Sequence, residues 1–274
     1  MALTPLPLTT GTGPAAAAAA TTTTVPVSAA PTAVSALSVL WALSAMTVAA
    51  LAASCGRKPE PIWFPLNSGA SWRYAVTTET DNLARQSIQS IRVTGHSQLR
   101  GQPVYTRRSE ASDNIGVEYL LQVRDDAIVR IAQRTDLQAL PVADEKPRTV
   151  MPLPLALGAS WNTLTVSYAV LRRTEYPREL KYGRQLMMTY TVESMDEKVE
   201  VPAGVFEHCA RVEGRADLTI YADPVSGFRK TPIRTTEWYC KGVGLVKLLR
   251  TESIDTSFFI GGKVAMVLTD YSIP

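Results

Sequence analysis

The stretch Val117-Glu118-Tyr119-Leu120-Leu121-Gln122-Val123-Arg124, then Asp125-Asp126, then Ala127-Ile128-Val129-Arg130-Ile131-Ala132-Gln133-Arg134, reads in steps of two. Tyr119, Leu121 and Val123 fall on one side, and Glu118, Gln122 and Arg124 on the other. That is the period of a strand, whose successive side chains point to opposite faces. The acidic pair between the runs suits a tight hairpin turn, where short polar side chains bond their own backbone.

The pattern extends both ways. Runs rich in Val, Ile, Thr and Tyr, bounded by Gly, Pro, Asp and Asn, predict strands over 71–80, 86–96, 104–110, 117–124, 127–134, 160–173, 185–193, 198–201, 206–214, 216–221, 231–241, 244–253 and 263–271. The alternation recurs at Val264, Met266 and Leu268, and at Thr236, Trp238 and Cys240. No helical period of useful length follows Pro59. The expected fold is therefore mainly all-β: a curved antiparallel sheet, built as an open barrel or a sandwich.

A repeat divides this body. Pro65-Leu66-Asn67-Ser68-Gly69-Ala70-Ser71-Trp72 and Pro154-Leu155-Ala156-Leu157-Gly158-Ala159-Ser160-Trp161 share P-L-x-x-G-A-S-W, 89 positions apart, and a predicted strand begins at the end of each. Each copy reads as a turn that aims a Trp into the core, with stacking on a carbohydrate or lipid as the alternative. Two copies imply two half-sheets, about 61–150 and 151–274, within a single β-domain over 63–274. The proline-bearing stretch 141–152 reads as the connector between them. Val201-Pro202-Ala203-Gly204-Val205-Phe206 reads as a tight turn, and Lys241-Gly242-Val243-Gly244 as a bulge or sharp hairpin.

Residues 1–56 carry no Asp, Glu, Lys, Arg or His. The Ala/Thr/Pro-rich start, 1–32, has too little bulky apolar surface to offset ordering entropy and reads as a disordered leader. From Ala33 to Ser54 the chain is apolar for 22 residues, enough for a helix across about 30 Å of hydrocarbon. A cleaved lipoprotein signal, an uncleaved membrane anchor and a buried core helix are the readings of that run. Small residues ahead of a cysteine, Ala52-Ala53-Ser54-Cys55, favour the first. The junction resembles a bacterial lipobox, although Ala52 stands where Leu is usual and Leu51 comes one place earlier. The resemblance implies cleavage after a signal region at 1–54, a lipidated tether at 55–62, and acyl chains on Cys55 that hold the protein at a bilayer. Gly56, rather than Asp, after the cysteine implies the outer membrane, facing the periplasm.

The charged residues number 28 basic and 25 acidic, a net +3 spread without clusters. Arg107-Arg108 and Arg172-Arg173 are pairs that a strand would split between its faces, and they read as solvated edge charges. With no basic stripe among aromatics, a nucleic-acid partner is not expected. Setting Cys55 aside leaves Cys209 and Cys240. In an oxidising compartment they suggest a disulfide closing about 30 residues, which would contribute roughly 3–4 kcal/mol. Two buried free thiols are the alternative.

The motif set carries a further resemblance. A P-L-x-x-G-x-x-W opening (Pro65 to Trp72), a V-P-A-G-x-F turn (Val201 to Phe206) and a G-V-G-L-V-K segment (Gly242 to Lys247) together are similar to uncharacterised exported bacterial proteins, often lipoproteins. This likeness implies a curved antiparallel sheet or open barrel, akin to that of the lipoprotein-localisation factors. It implies no established activity.

Chemistry is sparse. His96 and His208 have no nucleophile context, and there is no G-x-S-x-G, H-E-x-x-H or dinucleotide fingerprint. Asp125-Asp126 and Asp196-Glu197 read as turn residues rather than acid/base couples. No catalytic residue, metal site or cofactor is expected, and an envelope-polymer hydrolase is the alternative. The expected role is non-enzymatic: binding an envelope protein or an apolar ligand, such as a lipid or peptidoglycan-derived group. Trp72, Trp161 and Trp238 are the candidate ligand face.

Overall fold

The computed structural model describes residues 62–80, 83–112, 114–172 and 185–274. The leader, the apolar run, Cys55 and Arg173 lie outside them. The described part carries β1 (Ser71–Thr80), β2 (Leu83–Leu99), β3 (Gln102–Ala111), β4 (Asn114–Val123), β5 (Ala127–Thr135), β6 (Val142–Pro152), β7 (Ser160–Val166), β8 (Leu171–Arg172), β9 (Gln185–Val201), β10 (Gly204–Asp223), β11 (Gly227–Cys240), β12 (Gly244–Asp255) and β13 (Phe259–Ser272). Among the described residues there is no helix, so the all-β expectation holds.

All these strands belong to one antiparallel sheet, ordered β6-β5-β4-β3-β2-β1-β13-β12-β11-β10-β9-β7, with β8 added beside β13. Two meanders thus meet at β1 and β13, and the sheet curls into a nearly closed barrel. The repeat is the key to its plan. Gly69 N donates to Val93 O, Ala70 N to Asn67 O, and Val93 N to Ala70 O. In the second copy Gly158 N donates to Val192 O, Ala159 N to Ala156 O, and Val192 N to Ala159 O. Both turns need a residue at positive φ, and glycine takes it: φ is 90° at Gly69 and 77° at Gly158. β1 then pairs with β2 (Trp72 opposite Ile91) as β7 pairs with β9 (Trp161 opposite Tyr190). The halves are equivalent, and the equivalence predicts that β6 should pair with β7 as β13 pairs with β1. It does not: β6 and β7 are the two edges of the sheet.

The core fills the interior. Leu121, Ile128, Met151, Met188, Val212, Ile220 and Ile233 form one cluster with Trp63 and Phe64; Trp72, Tyr74, Val93, Val246, Met266 and Leu268 belong to a second. Each fully buried aliphatic side chain among them contributes about 1.5–3 kcal/mol.

Several expectations need correction. The stretch 141–152 is not a connector but strand β6. Its prolines, Pro147 and Pro152, stand on a sheet edge, where a missing N–H removes no ladder bond. The expected strand 160–173 breaks after Val166, and the chain crosses to β13 through Ala169 and Val170, each 1% exposed. Asp196-Glu197 lies within β9 rather than in a turn. The predicted pieces 185–193 and 198–201 are one strand, as are 206–214 and 216–221. Of the two readings of 241–244, the structure shows the hairpin, which joins β11 to β12.

Candidate functional site

The unpaired seam has a floor. A cleft of about 190 Å³ lies there, with Arg148, Thr149 and Val150 from β6 on one side. Trp161, Thr163 and Leu164 from β7 stand on the other, and Tyr190, Glu237 and Tyr239 lie behind. Alternation along β11 explains the floor: Thr231, Ile233, Thr235, Glu237 and Tyr239 are buried and point inward. This corrects the sequence reading at 236–240, which took the opposite phase as the apolar one.

Inside, Tyr239 donates to Glu237 Oε2 at 2.6 Å. Burial raises the Glu237 carboxyl above its usual range, and the Tyr239 bond and the Arg250 charge only partly oppose this. Burial likewise holds the Tyr190 and Tyr239 hydroxyls protonated, as donors. Tyr190 stacks on Trp161, ring centroids 5.3 Å apart at 14°. The indole Nε1 of Trp161 is out of water and has no hydrogen-bond partner, which costs free energy unless a bound group accepts from it. At the mouth, Arg130 and Arg148 share Asp144 at 2.9 Å.

The three tryptophans singled out from the sequence do not share a face. Trp72 is buried, 2% exposed, and donates to the Val243 carbonyl at 2.7 Å; it is core rather than ligand surface. Trp238 points away from Glu237, on the outer face, donating to Glu197 Oε2 at 2.7 Å with the Lys247 ammonium 5.2 Å from its ring. Only Trp161 lines the cleft.

Cys209 and Cys240 are joined in a disulfide. His208 meets Asp196 at 2.5 Å, both side chains three-quarters exposed, and His96 lies near Tyr105, ring centroids 6.5 Å apart. Neither histidine stands at the cleft. Among the described residues no group of His, Cys, Asp and Glu could hold a metal ion. A larger groove of about 380 Å³ runs over the outer face beside Arg73, Arg92, Arg108 and Asp270. Its Arg108 is already committed to Glu110 and Asp136.

Arg107 overturns the expectation of a solvated charge. It faces inward, opposite Tyr119 across the β3–β4 ladder, and burial lowers its pKa. The sequence shows Arg107-Arg108 alternating but not which face is wet. Glu237, Tyr190 and Tyr239 carried no signal as single residues; only the curling of the sheet brings them together.

No protein-family model and no curated protein matches the chain. Among solved structures it is similar to a Bacteroides fragilis protein described as exported and as having a YmcC-like fold. The TM-score is 0.45 at 13% identity, over 77% of this chain and 98% of that one. It is also similar to a Parabacteroides distasonis protein described as a lipoprotein, with a TM-score of 0.40, 13% identity and the same coverage.

Proposed function

We propose that this is an exported lipoprotein, anchored at the bacterial envelope through acylated Cys55, whose barrel is a non-enzymatic binding domain for an apolar ligand. The outer membrane, facing the periplasm, is the membrane that Gly56 favours. The observation that carries the binding role is the missing β6–β7 pairing in an otherwise two-fold plan. It leaves an opening lined by Trp161, Leu164 and Tyr190 that leads inward. The ligand is held by ring stacking and by the unpartnered indole N–H.

Two measurements test this. Cys55→Ala should abolish palmitate labelling; a labelled variant, or a mature N-terminus elsewhere, overturns the anchorage. Titration of the full chain with an apolar fluorescent probe, 1-N-phenylnaphthylamine, should show saturable binding that Trp161→Ala weakens and Trp238→Ala leaves unchanged. Absence of saturable binding, or equal loss in both variants, removes the ligand role.

A further inference from the structure

We propose that the group bound inside the barrel carries an oxyanion, a carboxylate or phosphate on an apolar body, and that Arg107 is the residue that receives it. This rests on the reading of the barrel interior as a ligand site.

Arg107 is half-buried, and a guanidinium turned inward without an acid is unusual, since the part of the ion that leaves water costs free energy unless it is paired. Arg107 has no such pair. Its Nε is out of water and donates to nothing, and no carboxylate among the described residues lies within ion-pair distance. Arg130 and Arg250, by contrast, are paired with Asp144 and Glu252. What surrounds Arg107 is aromatic: its Cζ stands 4.2 Å from the Phe64 ring centroid and 4.9 Å from that of Trp72. Aromatic rings attract the face of a guanidinium but cannot accept its in-plane N–H groups. The fork that matches a carboxylate or phosphate is therefore left unused.

Position agrees with this. Two tyrosines link Arg107 to the cleft. Tyr239 lines the cleft and lies within electrostatic reach of Arg107. Tyr119 is opposite Arg107 on the ladder and carries Arg130, which also lines the cleft, 5.4 Å from its ring centroid. A ligand entering the seam passes Arg130 and Arg148, which Asp144 pairs, then the rings of Trp161, Tyr190 and Tyr239, and Arg107 lies within electrostatic reach of the last of these. The Tyr119 hydroxyl, which burial holds protonated, can donate to the same anion, whereas the Tyr239 hydroxyl is committed to Glu237. Glu237, held toward its neutral form, does not compete for the cation.

The test uses the full chain in lipid nanodiscs, titrated with octanoate, octyl phosphate and octan-1-ol and followed by tryptophan emission, with partitioning into empty discs subtracted. At least one of the two anions should bind about tenfold or more tighter than the alcohol, the scale of a charge-assisted hydrogen bond. Whichever anion binds identifies the head group. Arg107→Met should remove that advantage and leave the alcohol unchanged, while Arg107→Lys should keep part of it. Equal binding of acid and alcohol by the native chain, or an equal loss of all three ligands in Arg107→Met, overturns the head-group assignment and leaves the apolar site standing. Binding of none of the three overturns both. Should Arg107→Met fail to fold, the native acid-to-alcohol ratio and Arg107→Lys decide the matter.

Discussion

Arg250 donates from Nε to Glu252 Oε1 at 2.7 Å, and the two side chains, neighbours on one face of β12, are 1% and 0% exposed. Both charges are spent on the crossing that follows β7. Arg250 donates to the Val166 carbonyl at 2.7 Å, and Glu252 accepts from the N–H groups of Tyr168 and Ala169 at 2.8 and 2.9 Å. The Arg250 guanidinium also lies 4.0 Å from the Tyr168 ring centroid. The pair therefore holds a strap, 167–170, that carries the chain across the barrel to β13.

Breaking that pair from one side strands the other charge. Glu252→Gln should lower stability by about 3–5 kcal/mol, and Arg250→Met combined with Glu252→Leu should lose at least as much, because it also strips the partners of the Val166 carbonyl and of the Tyr168 and Ala169 N–H groups. Urea unfolding followed by circular dichroism measures both. A double variant as stable as the native chain would show that the pair is not what holds the strap.

The disulfide acts elsewhere. It joins Cys209, just past the β9–β10 turn, to Cys240 at the end of β11, closing 31 residues. The turn itself reaches β13, where Ala203 N donates to Leu268 O at 3.0 Å and the Phe206 and Tyr271 ring centroids stand 5.9 Å apart. Replacing both cysteines by Ala should reduce stability by about 3–4 kcal/mol on the chain-entropy account. Denaturation of the native chain with and without reductant should give a similar difference; identical curves would contradict it.

Glu237 sets a pH dependence opposite to that of most acids. Its folded pKa lies above the ordinary 4.5, because burial penalises the charged form. The folded state therefore holds this proton more tightly than the unfolded chain does. The contribution is fully present below about 4.5 and is lost as pH rises through the folded pKa. Glu237→Gln stays neutral, so its stability relative to the native chain should improve as pH rises from 4.5 toward neutrality. A relative stability that is flat or falls over that range would mean that the carboxyl is ionised in the fold.

What was legible in the sequence depended on whether one face of a strand meets water. Around Tyr119 to Arg134 it does, and the alternation was plain. Along β11 it misled, because the buried phase carries Thr235 and Glu237 while the outer phase carries Trp238. Composition ranks those residues in the wrong order, and only the ladder corrects it. Strand β6 was hidden by Pro147 and Pro152, which an edge tolerates and a central strand would not. The P-L-x-x-G-A-S-W repeat was visible, and its two copies make the same set of backbone bonds. That one seam would close and the other stay open was not visible, since both edges are ordinary strands until their partners are known. Arg107 was missed for the same reason as Glu237: burial belongs to the curled sheet, not to the residue type.

Gly214 makes the cleft wall possible. It sits between Tyr190 of β9 and Thr235 of β11 in the ladder. A Cβ there would collide with Thr235 Cγ2 and stand 2.8 Å from Met188 Sδ and 2.9 Å from Tyr190 Cε1. Without a side chain at 214, the Tyr190 ring leans across β10 toward Glu237 while keeping its stack on Trp161. Gly214→Ala should displace that ring, at a cost of about 1–3 kcal/mol as for other overpacked sites. The near-ultraviolet circular dichroism of Trp161 should change with it. Thr235→Ser removes Cγ2, the atom in the closest conflict, so adding it to Gly214→Ala should recover part of the loss. The coupling between the two substitutions should be about 0.5–3 kcal/mol. If Gly214→Ala leaves both stability and the aromatic spectrum unchanged, Tyr190 does not lie over that glycine and the cleft has a different back wall.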